Sequence, residues 1–174
     1  RWTDDTAMAW AVVETLTRHG TIDADALMAA LVRQFAAEPD RGYGGGARDL
    51  LTRVVRGADW RVEVAAMFDG QGSFGNGAAM RVAPLGAYFA DDLDRVVAEA
   101  ARSAAPTHAH PEGVAGAVAV AVAAALAWRH GHGQAMTGAA WLAAIAARTP
   151  DGLTRAGLAR AQALGLDADP ARAA

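Results

Sequence analysis

Apolar residues recur every three or four positions along most of this chain, whereas alternating runs of β-branched and aromatic residues are nearly absent. The first segment with this spacing covers residues 3–17 and carries Met8, Val12 and Leu16 on one face. Gly20 then supplies the left-handed turn that ends many helices. A period near 3.6 residues suits a helix and does not suit a strand. The sequence therefore predicts an all-α fold.

Further segments with helical spacing follow. One begins after Asp23 and stops at Pro39, and another carries Leu50 and ends at Gly57. The remaining predicted helices cover 60–68, 78–89, 91–103, 112–130, 138–148 and 151–164. Pro84 is expected to kink the segment at 78–89. Since the chain has 174 residues and neither a repeat nor a linker, we expect residues 1–174 to form one compact multi-helix domain, with most of the five tryptophans in its core.

Composition excludes several classes of function. The absence of cysteine excludes disulfides, thiolate catalysis and cysteine-bound zinc, so a metal must be held by oxygen or imidazole ligands. The net charge of −3 gives no general reason to bind nucleic acid. The longest apolar run, residues 113–128, is short and alanine-rich for a bilayer span, which needs about 20 apolar residues. No signal-peptide pattern opens the chain, and all its basic side chains are arginine, as in a GC-rich genome. We expect a cytoplasmic bacterial protein with no membrane partner.

Two adjacent carboxylates lie at the start of the first predicted helix, in the string Thr3-Asp4-Asp5-Thr6. Such hard oxygen ligands, with the flanking hydroxyls, suit Mg²⁺, Mn²⁺ or Ca²⁺. The same residues also suit an ordinary helix start, where threonine caps the helix and aspartate interacts favourably with the macrodipole. The string alone favours the cap, and the motifs that follow it favour the metal.

A glycine-rich segment precedes the predicted helix at 78–89 and reads Gly70-Gln71-Gly72-Ser73-Phe74-Gly75-Asn76-Gly77. Backbone N–H groups of such a loop can cradle a pyrophosphate, and Ser73 and Asn76 add side-chain donors. No Gly-Lys-Ser/Thr follows it and no strand precedes it, which excludes a Walker A loop and a dinucleotide-binding βαβ unit. The alternative is an ordinary flexible connection, although Met80 begins an apolar helix face directly after the glycines.

Two further segments hold chemically active side chains. His108 and His110 lie in a turn before a predicted helix, where an imidazole can bind a ligand or a metal; solvated histidines are the alternative. Asp40 and Tyr43 belong to a second glycine-rich stretch that ends at Gly46. There Tyr43 can stack on a substrate and Asp40 can accept a hydrogen bond, unless the stretch is a plain surface loop.

Together these strings resemble the motifs of the ADP-ribosylglycohydrolase family, from Thr3 to about Arg129. The family's Thr-Asp-Asp-Thr matches residues 3–6. Its Gly-Ser-Phe/Tyr-Gly-Asn-Gly-Ala-Met-Arg stretch matches residues 72–81, and its Thr-His-Ala matches residues 107–109. The three motifs also occur in the family's order. The resemblance implies an all-helical, ADP-ribosylglycohydrolase-like fold that holds two divalent ions at the bottom of a cleft.

The resemblance also implies a function, namely metal-dependent hydrolysis of the glycosidic bond between ADP-ribose and an acceptor. The cofactor would be Mg²⁺, as two ions, or Mn²⁺ in its place. Asp4 and Asp5 would be catalytic and, with Thr3, would bind the metal. The expected ligand-binding residues are Gly72, Ser73, Phe74, Gly75, Asn76, Gly77, Met80, His108, Asp40 and Tyr43. The partner would be ADP-ribose or an ADP-ribosylated substrate. The alternative is a non-catalytic relative that binds ADP-ribose or only a protein.

Two departures from the family pattern concern the ends of the chain. Only Arg1-Trp2 precedes the first motif, and no C-terminal Asp-x-Asp-Thr/Ser is found, since Asp167-Ala168-Asp169-Pro170 has proline at the hydroxyl position. We therefore expect a fold incomplete at both ends and inactive alone, completed by a C-terminal segment or second chain that carries Asp-x-Asp. The face left uncovered is expected to carry Val118, Val120, Val122 and Leu126.

Overall fold

Ten α-helices and no strand make up residues 2–164, the part of the chain that the computed structural model describes. The helices are α1 (Asp4–His19), α2 (Ala24–Ala37), α3 (Gly45–Val55), α4 (Trp60–Ala66), α5 (Gly77–Arg81), α6 (Ala83–Tyr88), α7 (Leu93–Ala104), α8 (Pro111–Gly131), α9 (Gly138–Arg148) and α10 (Leu153–Leu164). The predicted all-α class is therefore confirmed. The string at 167–170 lies outside the described residues.

The first two helices begin and end where local chemistry predicts. Gly20 adopts a φ of 66°, and its N–H donates to the carbonyl of Leu16 at 2.8 Å, which ends α1. The Asp23 carboxylate accepts the N–H of Ala26 at 2.8 Å and so caps α2. These two caps set the short α1–α2 turn and bring the two helices side by side.

The segment predicted as one kinked helix at 78–89 is instead two short helices, so that prediction is wrong. α5 ends and α6 begins at Val82, and Pro84 lies in the first turn of α6. A proline in that position costs no helical hydrogen bond, because the N–H groups of a first turn have no partner within the helix. Both α5 and α6 pack on α8.

α8 is the central helix, and it packs against α5, α6, α7 and α9. These neighbours bury Val118, Val122 and Leu126, which are at most 4 % exposed. The expectation that the three side chains would be left uncovered is therefore wrong; only Val120 of that set, 38 % exposed, faces outward. The close approach of α6 to α8 depends on small residues. A Cβ on Gly86 of α6 would overlap the carbonyl oxygen of Ala121 on α8.

The length and hydropathy of α8 also meet the requirements of a membrane span. Half of its most apolar window is buried within the fold. A core helix of a helical domain has the same properties, because a helix that is apolar all round is buried on most sides. The packing of α8 therefore accounts for its composition.

A buried carboxylate joins the α1–α2 turn to α7. Glu99 is 3 % exposed and accepts hydrogen bonds from the Thr21 hydroxyl at 2.6 Å and from the Ile22 N–H at 2.8 Å. Arg102 donates to the same carboxylate at 3.4 Å. Because every buried carboxylate needs such partners, this cluster fixes the position of α7 relative to the first two helices.

The expectation that most tryptophans lie in the core is wrong. Trp2, Trp10 and Trp128 are at least half exposed, and Trp60 and Trp141 are only partly buried. The alanine-rich helices approach one another too closely to hold large rings between them. The rings lie at the periphery, where Trp128 stacks on His132 with ring centroids 4.2 Å apart.

Candidate active site

The three sequence motifs border one recess, a cavity of about 200 Å³. The start of α1, the start of α3, the α4–α5 loop and the α7–α8 turn all contribute to it. The residues that line it are Asp4, Met8, Gly44, Gly45, Gly46, Ala47, Phe68, Ser73, Gly75, Asn76, Gly77, Met80 and His108. The fold thus brings together side chains that lie up to about a hundred residues apart in the sequence.

The start of α1 presents its carboxylates at the edge of this recess. The N–H of Asp4 donates to the carbonyl of Arg41 at 3.1 Å, and an Asp4 carboxylate oxygen lies close to Gly42. The Thr3 hydroxyl donates to the Asp5 carboxylate at 2.9 Å and makes no capping bond to the helix. Thr3 therefore does not form the helix cap that the string alone favoured. Instead, the Thr3 hydroxyl oxygen lies next to the carboxylate oxygens of Asp5.

By themselves these residues do not make up a complete set of metal ligands. Across residues 2–164, no three His, Asp or Glu side chains lie close enough together to share a metal ion. Mg²⁺, however, is commonly held by one or two carboxylates together with waters and substrate phosphates. Thr3, Asp4 and Asp5 fit that pattern, because they offer hard oxygen donors beside a recess large enough to admit a ligand.

The loop between α4 and α5 has an unusual backbone. Phe68 and Asp69 adopt φ angles of 53° and 56°, and Gly70 and Gly72 follow at 81° and 78°. Residues other than glycine rarely adopt this left-handed conformation, which costs roughly 1–2 kcal/mol per residue, although aspartate adopts it more readily than most. Gly72 is also buried, and a Cβ there would lie 2.8 Å from the carbonyl carbon of Ala109. The loop is therefore packed tightly against the α7–α8 turn.

Two exposed aromatic rings flank the loop. Phe68 and Phe74 are each 57 % exposed, which is unusual for phenylalanine, and Phe74 packs edge-on against His110 with ring centroids 4.9 Å apart. Both line a second recess of about 460 Å³, together with Gln71, Gly72, Gly75 and His110. Phe68 also lines the first recess, so the two recesses are neighbours. The sequence motifs indicated Phe74 but not Phe68. The position of Phe68, two residues before the first glycine of the loop, was a usable signal.

His108 lies at the inner end of the first recess. It is 5 % exposed; its Nδ1 is 2.7 Å from the Thr107 hydroxyl, and its buried Nε2 has no hydrogen-bond partner in the part of the chain that the structure describes. Gly113 makes room for the ring, because a Cβ there would lie 2.8 Å from His108 Cδ2 and 2.7 Å from the Ser73 carbonyl oxygen. Burial lowers the pKa of His108 to about 4, with help from the positive charge of Arg81.

A buried guanidinium stands behind the loop. Arg81 is fully buried; it donates to the carbonyl oxygens of Ser103 and Gly77, and its Nε has no partner among the described residues. Burial lowers the pKa of Arg81 to about 9. The side chain remains charged at neutral pH, so it raises the positive potential beside His108 and the glycine loop.

We expect His108 to make folding pH-dependent. The pKa of the His108 ring is about 4 in the folded chain and 6.5 in the unfolded chain. The unfolded state therefore binds more protons than the folded state between these two pH values. The free energy of unfolding should fall by roughly 2–3 kcal/mol as the pH drops from 6.5 to 4, and this dependence should vanish above about pH 7.5. Urea titrations across this range should show a weaker pH dependence for His108→Gln. An identical pH dependence of the free energy of unfolding in the unaltered chain and in His108→Gln would contradict the assignment of this effect to His108.

Three side chains that the sequence analysis considered for ligand binding do not line the first recess. Tyr43 is 5 % exposed and packs edge-on against Phe35 with ring centroids 5.1 Å apart, so its ring does not face the recess. Asp40 is exposed and pairs with Arg48 at 3.4 Å. His110 accepts the N–H of Glu112 at 3.1 Å and caps α8. The glycines next to Tyr43 do line the recess, so this loop contributes backbone in place of the predicted side chains.

Comparison with known proteins gives consistent matches. A family model described as ADP-ribosylglycohydrolase matches residues 1–174. ADP-ribosylhydrolase ARH3 of Homo sapiens is 37 % identical over 119 residues, which are 67 % of this chain and 32 % of that protein. The uncharacterised protein YegU of Escherichia coli is 33 % identical over 126 residues, 67 % of this chain and 35 % of YegU. An uncharacterised protein of Archaeoglobus fulgidus is 33 % identical over 117 residues, 67 % of this chain and 36 % of that protein.

The chain spans about a third of the length of the curated relatives it matches. The family model nevertheless matches its whole length, and the matched motifs line one recess of an all-α fold. The chain belongs to the ADP-ribosylglycohydrolase family.

Proposed function

We propose that this chain forms the ADP-ribose-binding cleft of a metal-dependent hydrolase, which cleaves the glycosidic bond between ADP-ribose and an acceptor. The observation that carries the proposal is the recess bordered jointly by Asp4, the loop Gly72–Gly77 and His108. Family membership supports the reaction class, and the similarity to ADP-ribosylhydrolase ARH3 supports the substrate class.

The glycine-rich loop suits the diphosphate of a nucleotide, and the two aromatic rings suit its base. Backbone N–H groups and the Ser73 hydroxyl can donate to diphosphate oxygens. Phe68 and Phe74 can hold a base between their exposed faces, since stacking of a base on an aromatic ring contributes about 1–3 kcal/mol. The two recesses share Phe68 and Gly75, so a single ligand can occupy both.

Thr3, Asp4 and Asp5 would hold Mg²⁺, and Mn²⁺ would suit the same oxygens. When bound, the ion supplies positive charge that orients ribose hydroxyls and a water molecule. The partly buried carboxylate of Asp4 lies where it can accept a hydrogen bond from that water. Water then replaces the acceptor at ribose C1″ through an oxocarbenium-like state, and the acceptor leaves with a proton.

Two carboxylates do not fill the coordination shells of two ions. We propose that a segment outside this chain, carrying Asp-x-Asp, supplies the remaining oxygen ligands in the complete protein. The short coverage of the relatives is consistent with this proposal. A cytoplasmic location also remains a prediction.

Release of ADP-ribose tests the reaction. The complete protein should be incubated with ADP-ribosylated arginine and serine peptides, with Mg²⁺ and with a chelator in parallel. We expect ADP-ribose to appear only with the metal. A non-catalytic relative would bind ADP-ribose and release none from any acceptor, and this result would exclude the hydrolase.

Gly75→Val tests the ligand site without disturbing the fold. A Cβ on Gly75 would lie 3.4 Å from the Ser73 hydroxyl oxygen and 3.9 Å from His108 Nε2, which is ordinary contact. The added methyl groups would extend into the recess, and we expect ADP-ribose affinity to fall by at least about tenfold, or 1.4 kcal/mol. Calorimetry measures the affinity, and circular dichroism should show unchanged helicity.

Gly157→Val is the matched control, because Gly157 lies on α10 and no atom of residues 2–164 comes within 4 Å of its added Cβ. It should bind ADP-ribose as the unaltered chain does. If Gly75→Val unfolds the chain, the loop is structural; if it binds normally, the ligand does not use this recess.

A further inference from the structure

The Thr107–His108 pair lies in the α7–α8 turn and is almost completely buried. Thr107 is 3 % exposed and His108 is 5 % exposed. The distance between the Thr107 hydroxyl oxygen and His108 Nδ1, 2.7 Å, is that of a hydrogen bond. Within residues 2–164 the other ring nitrogen, Nε2, makes no hydrogen bond of good geometry, although the nearby Gly75 backbone acts to raise the pKa of the ring; the side chain lines the recess. A buried polar atom in this position calls for an explanation.

The direction of the Thr107–His108 bond follows from the surroundings of Ala104. Its carbonyl oxygen already accepts the backbone N–H groups of Thr107 and His108, both at 3.0 Å. The Thr107 hydroxyl oxygen is 3.4 Å from that carbonyl, which is long for an O–H···O bond. The carbonyl has two lone pairs and both are used. The hydroxyl hydrogen therefore points to Nδ1, where the distance is 2.7 Å.

A neutral imidazole carries one ring hydrogen, and a nitrogen that accepts a hydrogen bond does not carry it. If Nδ1 accepts from Thr107, the hydrogen lies on Nε2. The unpartnered atom at the recess is then an N–H donor. The ring is neutral at physiological pH, since it is buried close to the charged Arg81.

We propose that Thr107 is a positioning residue that fixes the Nε2-protonated tautomer of His108, so that this histidine donates to an oxygen acceptor of the bound ligand. The inference rests on the proposed function for the identity of that ligand, an ADP-ribose unit. The tautomer itself is a property of the ligand-free chain. Thr107 acts through His108 and makes no ligand contact of its own.

The tautomer is measured directly on the 174-residue chain. Two-bond ¹H–¹⁵N spectra at pH 7 should show His108 with a protonated Nε2 and an unprotonated Nδ1. Thr107→Val keeps the shape of the side chain and removes the donor, so the His108 nitrogens should shift towards a mixture of tautomers. Thr107→Ser restores the hydroxyl and should restore the original spectrum.

Calorimetry with ADP-ribose then measures the consequence. Thr107→Val should bind about tenfold more weakly, the equivalent of one hydrogen bond, whereas Thr107→Ser should bind within about threefold of the unaltered chain. A merely structural role would weaken or spare both variants alike and leave the tautomer unchanged.

The outcomes separate this inference from the proposed function. A protonated Nδ1 in the ligand-free spectrum overturns the tautomer assignment, whatever the chain binds. Equal ADP-ribose affinities for the unaltered chain and Thr107→Val overturn the donor role while the proposed function stands. Failure of the unaltered chain to bind ADP-ribose overturns the proposed function and the donor role together. If Thr107→Val does not fold, the spectrum of the unaltered chain and the affinity of Thr107→Ser still decide.

Discussion

Asp5→Ala in the complete protein is expected to abolish Mg²⁺ binding and to lower the rate of ADP-ribose release by more than about a hundredfold. Loss of a residue that merely supports a metal ligand typically costs about 10- to 100-fold, and a charged ligand itself costs more. The Asp5 side chain is exposed, and among the described residues its carboxylate accepts a hydrogen bond from the Thr3 hydroxyl at 2.9 Å. The fold should therefore survive the substitution.

Calorimetric titration with Mg²⁺ and steady-state hydrolysis measure the two effects of Asp5→Ala. Asp94→Ala is the control, because Asp94 is another exposed aspartate in the first turn of a helix and is not one of the residues that line the recess. It should leave both quantities unchanged. Unaltered metal affinity in Asp5→Ala, with a lower melting temperature, would show that the carboxylate only stabilises the start of α1.

Gly86→Ala is expected to destabilise the fold by about 3 kcal/mol, the upper part of the range for overpacked cores. The added Cβ would overlap the carbonyl oxygen of Ala121 and lie 3.0 Å from Ala124 Cβ. Both contacts are on the central helix α8, so α6 would have to move away from it. The movement would also shift α5 and the loop before it, because these lie directly before α6 in the chain.

Gly116→Ala is the matched control, since Gly116 lies within α8 and its added Cβ meets only Ala79 Cβ at 3.8 Å. That contact is ordinary, and replacing a helical glycine with alanine stabilises a helix by up to about 1 kcal/mol. The two alanine substitutions should therefore have opposite signs in urea unfolding. A small effect of Gly86→Ala would mean that α6 and α8 are farther apart than the structure has them.

The helices were predictable because their determinants are local. The cap at Asp23 and the turn at Gly20 each act within a few residues, and the apolar spacing needs no knowledge of the fold. The break at Val82 was not predictable in the same way. Pro84 is compatible both with a kink inside one helix and with the first turn of a second, and only packing on α8 decides between them.

The site was predictable where backbone chemistry dominates. The loop before α5 was selected for its glycines and side-chain donors, and the carboxylates of α1 were selected through the neighbouring motifs; residues of the loop and Asp4 line the recess. The surroundings of Tyr43 depend instead on Phe35, which buries its ring, and the role of Phe68 depends on a left-handed backbone. Such features arise from tertiary contacts, which a spacing pattern does not encode.

A structure of the chain with ADP-ribose and Mg²⁺ bound tests the account most directly. We expect the diphosphate to lie against the loop Gly72–Gly77, the base between Phe68 and Phe74, and the metal beside Asp4. A ligand bound elsewhere would contradict this account, above all one whose diphosphate lies in the adjoining recess lined by Asp49, Arg53 and Glu63.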